Sequence, residues 1–199
     1  MQSPNSARDS DVKSVPRSSR LKLWLLLAVC AAPIMASYIA YYVWQPSGHV
    51  NYGELVDPRP VPEGGLAALD GGAFGFTGLK GAWVLVVAQS AKCDARCRTN
   101  LVYLRQVRLA LGKESERVQR VWMLTDDGAP PAELLAEHPG LRVVRARDSE
   151  ALRLMMPGAA GQIHVVDPQG NLMMRFPDDP DPRRMLKDIG RLLRHSKWK

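Results

Sequence analysis

Blocks of apolar and polar residues predict an alternation of strands and helices over the second half of the chain. The run AWVLVVA at residues 82–88 is short, apolar and rich in β-branched residues, which is typical of a buried strand. Residues 98–112 then repeat leucine and valine at helical spacing, and this pattern stops at Gly112. VQRVWMLT at residues 118–125 predicts a second strand.

The remaining blocks continue this alternation. PPAELLAEHPG (130–140) predicts a short helix, LRVVRA (141–146) a third extended segment, and SEALRLMM (149–156) another helix. GQIHVVDPQGNLMMRF (161–176) predicts two strands joined by an Asp-Pro-Gln-Gly turn, and a basic amphipathic helix begins at Asp181. This order predicts an α/β domain of three layers around a mixed sheet.

An uncharged run of 22 residues, from Leu23 to Trp44, precedes this domain. A helix of that length extends about 33 Å, enough to cross a hydrocarbon core of about 30 Å. The alternative is a cleaved signal peptide, but the run is longer than an ordinary h-region and no clear A-x-A site follows. The sequence therefore predicts a transmembrane anchor over residues 23–44.

Charges beside the anchor predict its orientation. Residues 1–22 carry five Lys or Arg and two Asp, and such an excess favours the cytoplasmic side. We therefore expect a cytoplasmic tail (1–22), a Pro- and Gly-rich linker (45–64) and an exported domain (65–199). In a bacterium the anchor would lie in the inner membrane with this domain in the periplasm. The alternative is the mitochondrial inner membrane, although the acidic residues and prolines of the tail suit a presequence poorly.

The net charge of +7 does not indicate a nucleic-acid partner. Residues 45–180 carry 15 Lys and Arg against 16 Asp and Glu, so the positive charge is concentrated at the two ends of the chain. The basic final helix is expected to dock on the sheet with a solvated face, and contact with anionic lipid is compatible with that placement. We expect no nucleic acid as a partner.

Two of the three cysteines, Cys93 and Cys97, are four positions apart in AKCDARCRTN. Cys93 falls in the loop after the first strand and Cys97 in the first turn of the next helix. Lys92, Arg96 and the helix N-terminus would stabilise a thiolate there. Residues so spaced on a helix lie about 6 Å apart, within the range of a disulfide. A structural disulfide, a redox dithiol and a soft-metal site remain open, although closing so short a loop contributes little stability.

The stretch LKGAWVLVVAQSAKCDARCRTNLVYLRQV and the later IHVVDPQGNLMMRF resemble the Sco (SenC) proteins. These are membrane-anchored proteins of thioredoxin fold that assist assembly of the copper sites of cytochrome oxidase. The resemblance covers roughly residues 65–195. It implies a thioredoxin-like domain in which Cys93 and Cys97 are ligands of a copper ion. It also implies a cytochrome oxidase subunit or another copper or thiol protein as the partner.

The chain departs from the family pattern at two positions. Asp94 stands where members usually have proline after the first cysteine. Counting back from Asp167, Ala159 stands where members have a histidine that is the third copper ligand. His164 is kept as a candidate ligand, although a lone histidine between Ile163 and Val165 is more often a packed strand residue. The cis-proline of thioredoxins is also missing from this region.

Four methionines are further candidate soft ligands for Cu(I). They form two consecutive pairs, so the members of a pair cannot both face one point, and we interpret them as core residues. These residues are Met155, Met156, Met173 and Met174.

Two functions follow from these observations. The first is an assembly factor in which Cys93 and Cys97 bind or deliver copper. The second is an enzyme, a thiol–disulfide oxidoreductase that reduces cysteines of a partner protein. The missing histidine weakens the first function. The Cys-x-x-x-Cys spacing and the missing proline weaken the second.

The predicted orientation has a direct test. A reporter enzyme that is active only outside the cytoplasm, fused after Lys199, should be active because the tail is retained by its cations. The measurement is reporter activity in intact cells, with a fusion to an unanchored cytoplasmic protein as the control. Activity of a cytoplasm-specific reporter at the same position would contradict the orientation.

Overall fold

The computed structural model of the protein describes residues 17–42, 51–156 and 161–196. The chain forms two compact units that divide between residues 48 and 49. The first contains helix α1 (Arg17–Tyr42), in which residues from Leu21 to Tyr42 form an apolar span of 22 residues. This helix is long and apolar enough to cross a membrane, so the prediction of one N-terminal candidate transmembrane helix is confirmed. Residues 43 and 44 of the predicted anchor lie outside the described residues.

The second unit is built on a mixed sheet of seven strands in the order β1-β7-β6-β3-β4-β5-β2. The strands are β1 (Glu54–Pro60), β2 (Ala67–Ala68), β3 (Trp83–Gln89), β4 (Val118–Leu124), β5 (Leu141–Arg145), β6 (Ile163–Val166) and β7 (Asn171–Arg175). Strands β3, β4 and β5 are parallel to one another, and the other pairings are antiparallel. The predicted mixed sheet is therefore confirmed.

Strand β3 lies at the centre of the sheet and is buried on both faces from Trp83 to Ala88. Alternate residues point to opposite faces of a strand, so β3 contributes to two cores. Leu85 and Val87 belong to one core, and Val84 and Val86 belong to the other. The continuous apolar run that predicted a buried strand reflects this two-sided packing.

Helices cover both faces of the sheet and complete the three layers. The helices of this unit are α2 (Ala95–Ala110), α3 (Ala132–Ala136), α4 (Glu150–Met155) and α5 (Pro182–His195). Helices α2, α3 and α5 pack in the core of Leu85 and Val87. Helix α4 and a 3₁₀ turn at Phe76–Leu79 pack in the core of Val84 and Val86. The thioredoxin-like layer order is therefore as predicted.

Side-chain caps hold the starts of α4 and α5 at the residues where the sequence pattern begins these helices. The Ser149 side chain accepts a hydrogen bond from the Leu152 amide at 3.1 Å and so caps α4. Asp181 caps α5 in the same way, with the Arg183 amide at 2.8 Å. In the predicted turn between β6 and β7, Gly170 has a φ of 94°, a conformation that glycine adopts without strain.

The segment 45–64 is not wholly a linker, because β1 lies within it. This strand pairs with β7 at the edge of the sheet, with an irregular register between Leu55 and Arg59. Pro58 and Pro60 are tolerated because an edge strand need not donate on its outer side. The Pro and Gly content that suggested a linker here marks a bulged edge strand instead.

Asp188 of α5 ties this helix to the segment before β1. The residue is 2% exposed, and its Oδ2 accepts hydrogen bonds from the amides of Tyr52 at 2.6 Å and Gly53 at 2.8 Å. Its Oδ1 lies 3.8 Å from a guanidinium nitrogen of Arg191. The carboxylate therefore satisfies two backbone donors that contribute no bond to the sheet ladder.

Replacing this carboxylate should destabilise the domain. We expect Asp188→Ala to lower the free energy of unfolding by about 3 kcal/mol, since buried amide donors lose a charged acceptor. Asp188→Asn retains an acceptor oxygen and should cost less. Urea unfolding of the detergent-solubilised chain, followed by near-UV circular dichroism, measures both. Asp179→Ala, at an exposed carboxylate, is the control and should change stability by less than about 0.5 kcal/mol. An equal effect of Asp188→Ala and Asp179→Ala would contradict this role.

Candidate functional site

The first cysteine of the candidate site lies in the loop that follows β3. The Cys93 amide donates to the carbonyl oxygen of Ser90 at 3.1 Å, which closes a tight turn. Cys93 has a φ of 44°, and no other non-glycine residue of the described segments has a positive φ. The left-handed conformation is sparsely populated by residues with a side chain and is concentrated at functional sites. The turn therefore holds Cys93 in a strained backbone at the edge of the sheet.

The second cysteine lies in the first turn of α2. Asp94 is the N-cap residue of this helix, and its side chain accepts a hydrogen bond from the Cys97 amide at 2.8 Å. The helix starts three residues before the predicted segment and ends at Ala110. The aspartate that departs from the Sco pattern thus has a structural role, because it fixes the turn that carries Cys97.

Cys93 and Cys97 form a disulfide in the structure, with their Cα atoms 5.0 Å apart. The prediction that these atoms lie within bonding range is thereby confirmed. The two cysteines are 3% and 2% exposed and belong to the same core as Leu101 of α2. The third cysteine, Cys30, lies in α1 and is free.

Asp126 fastens the cysteine loop to the end of the neighbouring strand. It follows β4, and its side chain accepts hydrogen bonds from the Ser90 hydroxyl at 2.5 Å and the Ala91 amide at 3.2 Å. The Ser90 hydrogen bond is the main reason that the pKa of Asp126 is lowered below its ordinary value. Asp126 and Asp127 directly follow the second predicted strand in the sequence, a position that predicts solvated loop carboxylates. This prediction holds for exposed Asp127, which is paired with Arg147. Asp126 instead positions the loop that carries Cys93.

A cavity of about 500 Å³ opens beside the disulfide. Both cysteines line it, together with Lys92, Arg96 and Met156. Lys92 and the N-terminus of α2 favour negative charge at this position, whereas Asp94, which caps the helix, also lines the cavity and Arg96 is paired with Asp178 at 3.4 Å. The surroundings therefore suit thiolates once the disulfide is reduced.

His164 does not belong to this site. It lies on β6 opposite Val86 of β3 and lines a separate cavity with Glu54 and Arg175. Its neighbours Ile163 and Val165 face the core that contains the cysteines, so the imidazole lies on the opposite face of the sheet. Of the three predicted site residues, the structure brings together Cys93 and Cys97 and places His164 elsewhere.

The methionines divide between the core and the site. Met155 is 3% exposed and Met174 is fully buried, as expected for core residues, and Met173 is partly buried. Met156 is 45% exposed and lines the cavity beside the cysteines. The interpretation of all four as core residues is therefore wrong for Met156.

The segment in which Sco proteins have their histidine includes Ala159, which lies outside the described residues. Gly161, the first described residue after it, is held against α2 because the buried Asn100 side chain donates to its carbonyl oxygen at 2.7 Å. Gly161 has a φ of 92°, and a Cβ there would lie 2.6 Å from the Gln89 side-chain nitrogen. Glycine is therefore required where this segment returns to the sheet.

No cis peptide bond occurs in the parts of the chain that the structure describes. The same residues contain no group of three or more His, Cys, Asp or Glu side chains that could hold a metal ion. The cysteine pair is thus a two-ligand site as far as these four residue types are concerned.

A family model described as the transmembrane-like, thioredoxin-like, C-terminal domain matches residues 83–196. No curated protein sequence matches the chain. Yeast Sco1 with copper bound is a similar solved structure, at 17% identity and a TM-score of 0.56, covering 66% of this chain and 90% of that one. Apo Sco1 from Thermus thermophilus has 22% identity and a TM-score of 0.54, covering 74% and 98%.

The thioredoxin domain of a thiol-disulfide oxidoreductase from Bacteroides vulgatus is similar to the same degree. It has 18% identity and a TM-score of 0.52, covering 70% of this chain and 99% of that one. At such identities the likeness concerns the fold. The resemblance to the Sco proteins is therefore confirmed as a shared thioredoxin-like fold.

The position of His164 predicts a pH dependence of stability. Burial, reinforced by nearby Arg175, lowers the pKa of His164 to about 4. The unfolded chain takes up a proton at this residue below about pH 6.5, whereas the folded protein stays neutral until about pH 4. The contribution of neutral, buried His164 to the free energy of unfolding is therefore fully present above pH 6.5 and is lost as the pH falls toward 4.

Between pH 7 and pH 5 this histidine should account for a loss of about 2 kcal/mol in the free energy of unfolding. We expect His164→Gln to remove that part of the pH dependence, measured by urea unfolding at both pH values. Buried His138, whose pKa is also lowered by burial, remains in both proteins, so its effect cancels in the comparison. Identical pH dependence in the two proteins would contradict the neutral, buried state of His164.

Proposed function

Because the chain belongs to the family of transmembrane-like, thioredoxin-like C-terminal domains, we propose that it is a membrane-anchored, Sco-like accessory protein in cytochrome c oxidase assembly. Cys93 and Cys97 carry this function by binding Cu(I) transiently or by thiol–disulfide exchange. The observation that supports the proposal is the disulfide between these residues, at the N-terminus of α2 and beside an open cavity.

The donor set of the reduced pair suits Cu(I). Two thiolates are soft ligands that select this ion, whereas Cu(II) favours nitrogen ligands. Within the described strands the one histidine is His164, and it lies on the opposite face of the sheet from the cysteines. Binding of one Cu(I) by two thiols releases two protons and leaves the oxidation state of copper and sulfur unchanged. Lys92, together with Arg96, which is also paired with Asp178, offsets part of the negative charge of the resulting bis-thiolate complex.

The disulfide makes copper binding dependent on reduction. In the oxidised form the sulfur atoms are bonded to each other and neither is a thiolate, so two electrons must be supplied before copper binds. A dithiol protein is a suitable donor, because it becomes a disulfide as Cys93 and Cys97 become thiols. The partners of this chain are thus a cytochrome oxidase subunit that receives copper, or another copper or thiol protein.

The proposed location follows from the anchor. The cationic tail stays in the cytoplasm, and the domain of residues 65–199 lies in the bacterial periplasm, where thiols are oxidised unless they are actively reduced. The mitochondrial inner membrane is the alternative membrane.

A second candidate function is that of a thiol–disulfide oxidoreductase, and the formed disulfide favours it. One thiolate of the pair attacks a disulfide of the partner protein and forms a mixed disulfide, with release of one partner thiolate. The other cysteine then attacks the mixed disulfide and releases the second partner thiolate. The pair is oxidised by two electrons, and the partner gains two thiols.

Copper binding by the full-length chain tests the proposal. We expect the reduced protein, in detergent and without oxygen, to bind one Cu(I) and to bind Cu(II) weakly or not at all, because it offers two thiolates and no imidazole. Cys93→Ser and Cys97→Ser should each abolish the Cu(I) site. The measurement is competition with a chromophoric Cu(I) chelator, in a Cys30→Ser background so that only the paired thiols are present.

His164→Ala is the matched control and should leave Cu(I) binding nearly unchanged. If the reduced protein takes up no Cu(I) but reduces the disulfide of a partner protein, the oxidoreductase function replaces the copper function. If His164→Ala removes Cu(II) binding, the imidazole is a ligand after all.

A further inference from the structure

Met156 differs from the other apolar residues at the surface of the domain. Among the described residues of the domain, the large exposed apolar side chains are Leu55, Leu109 and Met156. Of these, only Met156 lines the cavity beside Cys93 and Cys97. It is therefore a thioether held at the mouth of a dithiol site rather than a core residue.

The position of Met156 is set by the helix before it. Helix α4 is capped by Ser149 and docks on the sheet through Ala151, Leu152 and Met155. Met156 is the C-cap residue, and its amide donates to the Leu152 carbonyl oxygen at 2.9 Å. The docked turn therefore fixes the backbone of Met156, while its unbranched side chain keeps three rotatable bonds with which to approach the cysteines.

We propose that Met156 is the third ligand of the Cu(I) ion held by Cys93 and Cys97. This inference rests on the proposed copper function and names the full donor set for it: two thiolates and one thioether. Thioether sulfur is a soft ligand that selects Cu(I), and it adds no charge to the complex. The thioether then takes the place of the missing imidazole and favours Cu(I) over Cu(II).

The surroundings agree with this donor set. A Cu(I) ion with two thiolates and a thioether carries one net negative charge, and the cavity presents Lys92 and Arg96 beside the carboxylate of Asp94; Arg96 is also paired with Asp178. The alternative is that Met156 is an apolar contact for a docking protein. Leucine has a similar size and apolar character but no sulfur, so Met156→Leu separates coordination from apolar contact.

The test compares full-length variants in the Cys30→Ser background, reduced and kept in detergent without oxygen. We expect Met156→Leu to weaken Cu(I) binding by at least about tenfold, the lower end of the loss caused by removing even an outer-shell partner of a metal. Met173→Leu, at a partly buried methionine that does not line the cavity, should bind Cu(I) as the unchanged chain does. Chelator competition measures affinity, and X-ray absorption at the copper edge should show three sulfur ligands in the unchanged chain and two in Met156→Leu.

A second variant tests the position itself. Met156→His places an imidazole where the thioether lies, and we expect it to gain Cu(II) binding that the unchanged chain lacks. If Met156→Leu binds Cu(I) as tightly as the unchanged chain and with the same number of sulfur ligands, the Met156 assignment is wrong and the copper function stands. Absence of a gain in Met156→His would likewise overturn the assignment. If the unchanged reduced chain binds no Cu(I), the copper function and the Met156 assignment both fail.

Discussion

The two-sided burial of β3 is the constraint on which the rest of the domain depends. Six consecutive side chains of this strand are buried, and they alternate between two cores that have no residue in common. Each core needs its own cover, which α2 and α5 supply on one face and α4 on the other. The chain can leave such a strand only at its ends, and at the carboxyl end it enters the loop of Cys93. The position of the site is thus a consequence of how the central strand is buried.

The alternation of side chains along a strand also places His164 on the opposite face of the sheet from the two cysteines. Side chains one position apart on a strand face opposite cores, so Ile163 and Val165 of β6 share the cysteine face while His164 does not. This division does not apply to Met156, because it follows α4 instead of lying on a strand, and it lines the cavity beside the cysteines. A residue near the carboxyl edge of the sheet can therefore approach the cysteines even when its helix covers the other face.

The sequence alone was sufficient for features that depend on neighbouring residues. Caps at Ser149 and Asp181, the turn at Gly170 and the placement of Cys97 in the first helical turn involve contacts within four positions. The sequence did not reveal β1, because a Pro-rich edge strand is recognisable only from its pairing with β7. Asp126 and Met156 were misjudged for a related reason. Their roles depend on contacts between elements that are distant in sequence and lie together at the edge of the sheet, and the spacing of neighbouring residues does not predict such contacts.

The hydrogen bond from Asn100 to Gly161 has a consequence for the order in which the domain assembles. Its partners are 61 positions apart in the chain, and the bond is buried. Loop-closure entropy disfavours so distant a contact until intervening strands have paired, so we expect it to form late in folding. The helix that carries Cys97 forms from local contacts and can arise early. In an oxidising compartment, the two cysteines would then be close enough to form their disulfide before the contact between Asn100 and Gly161 is made, and the newly synthesised protein would first be present in the oxidised form.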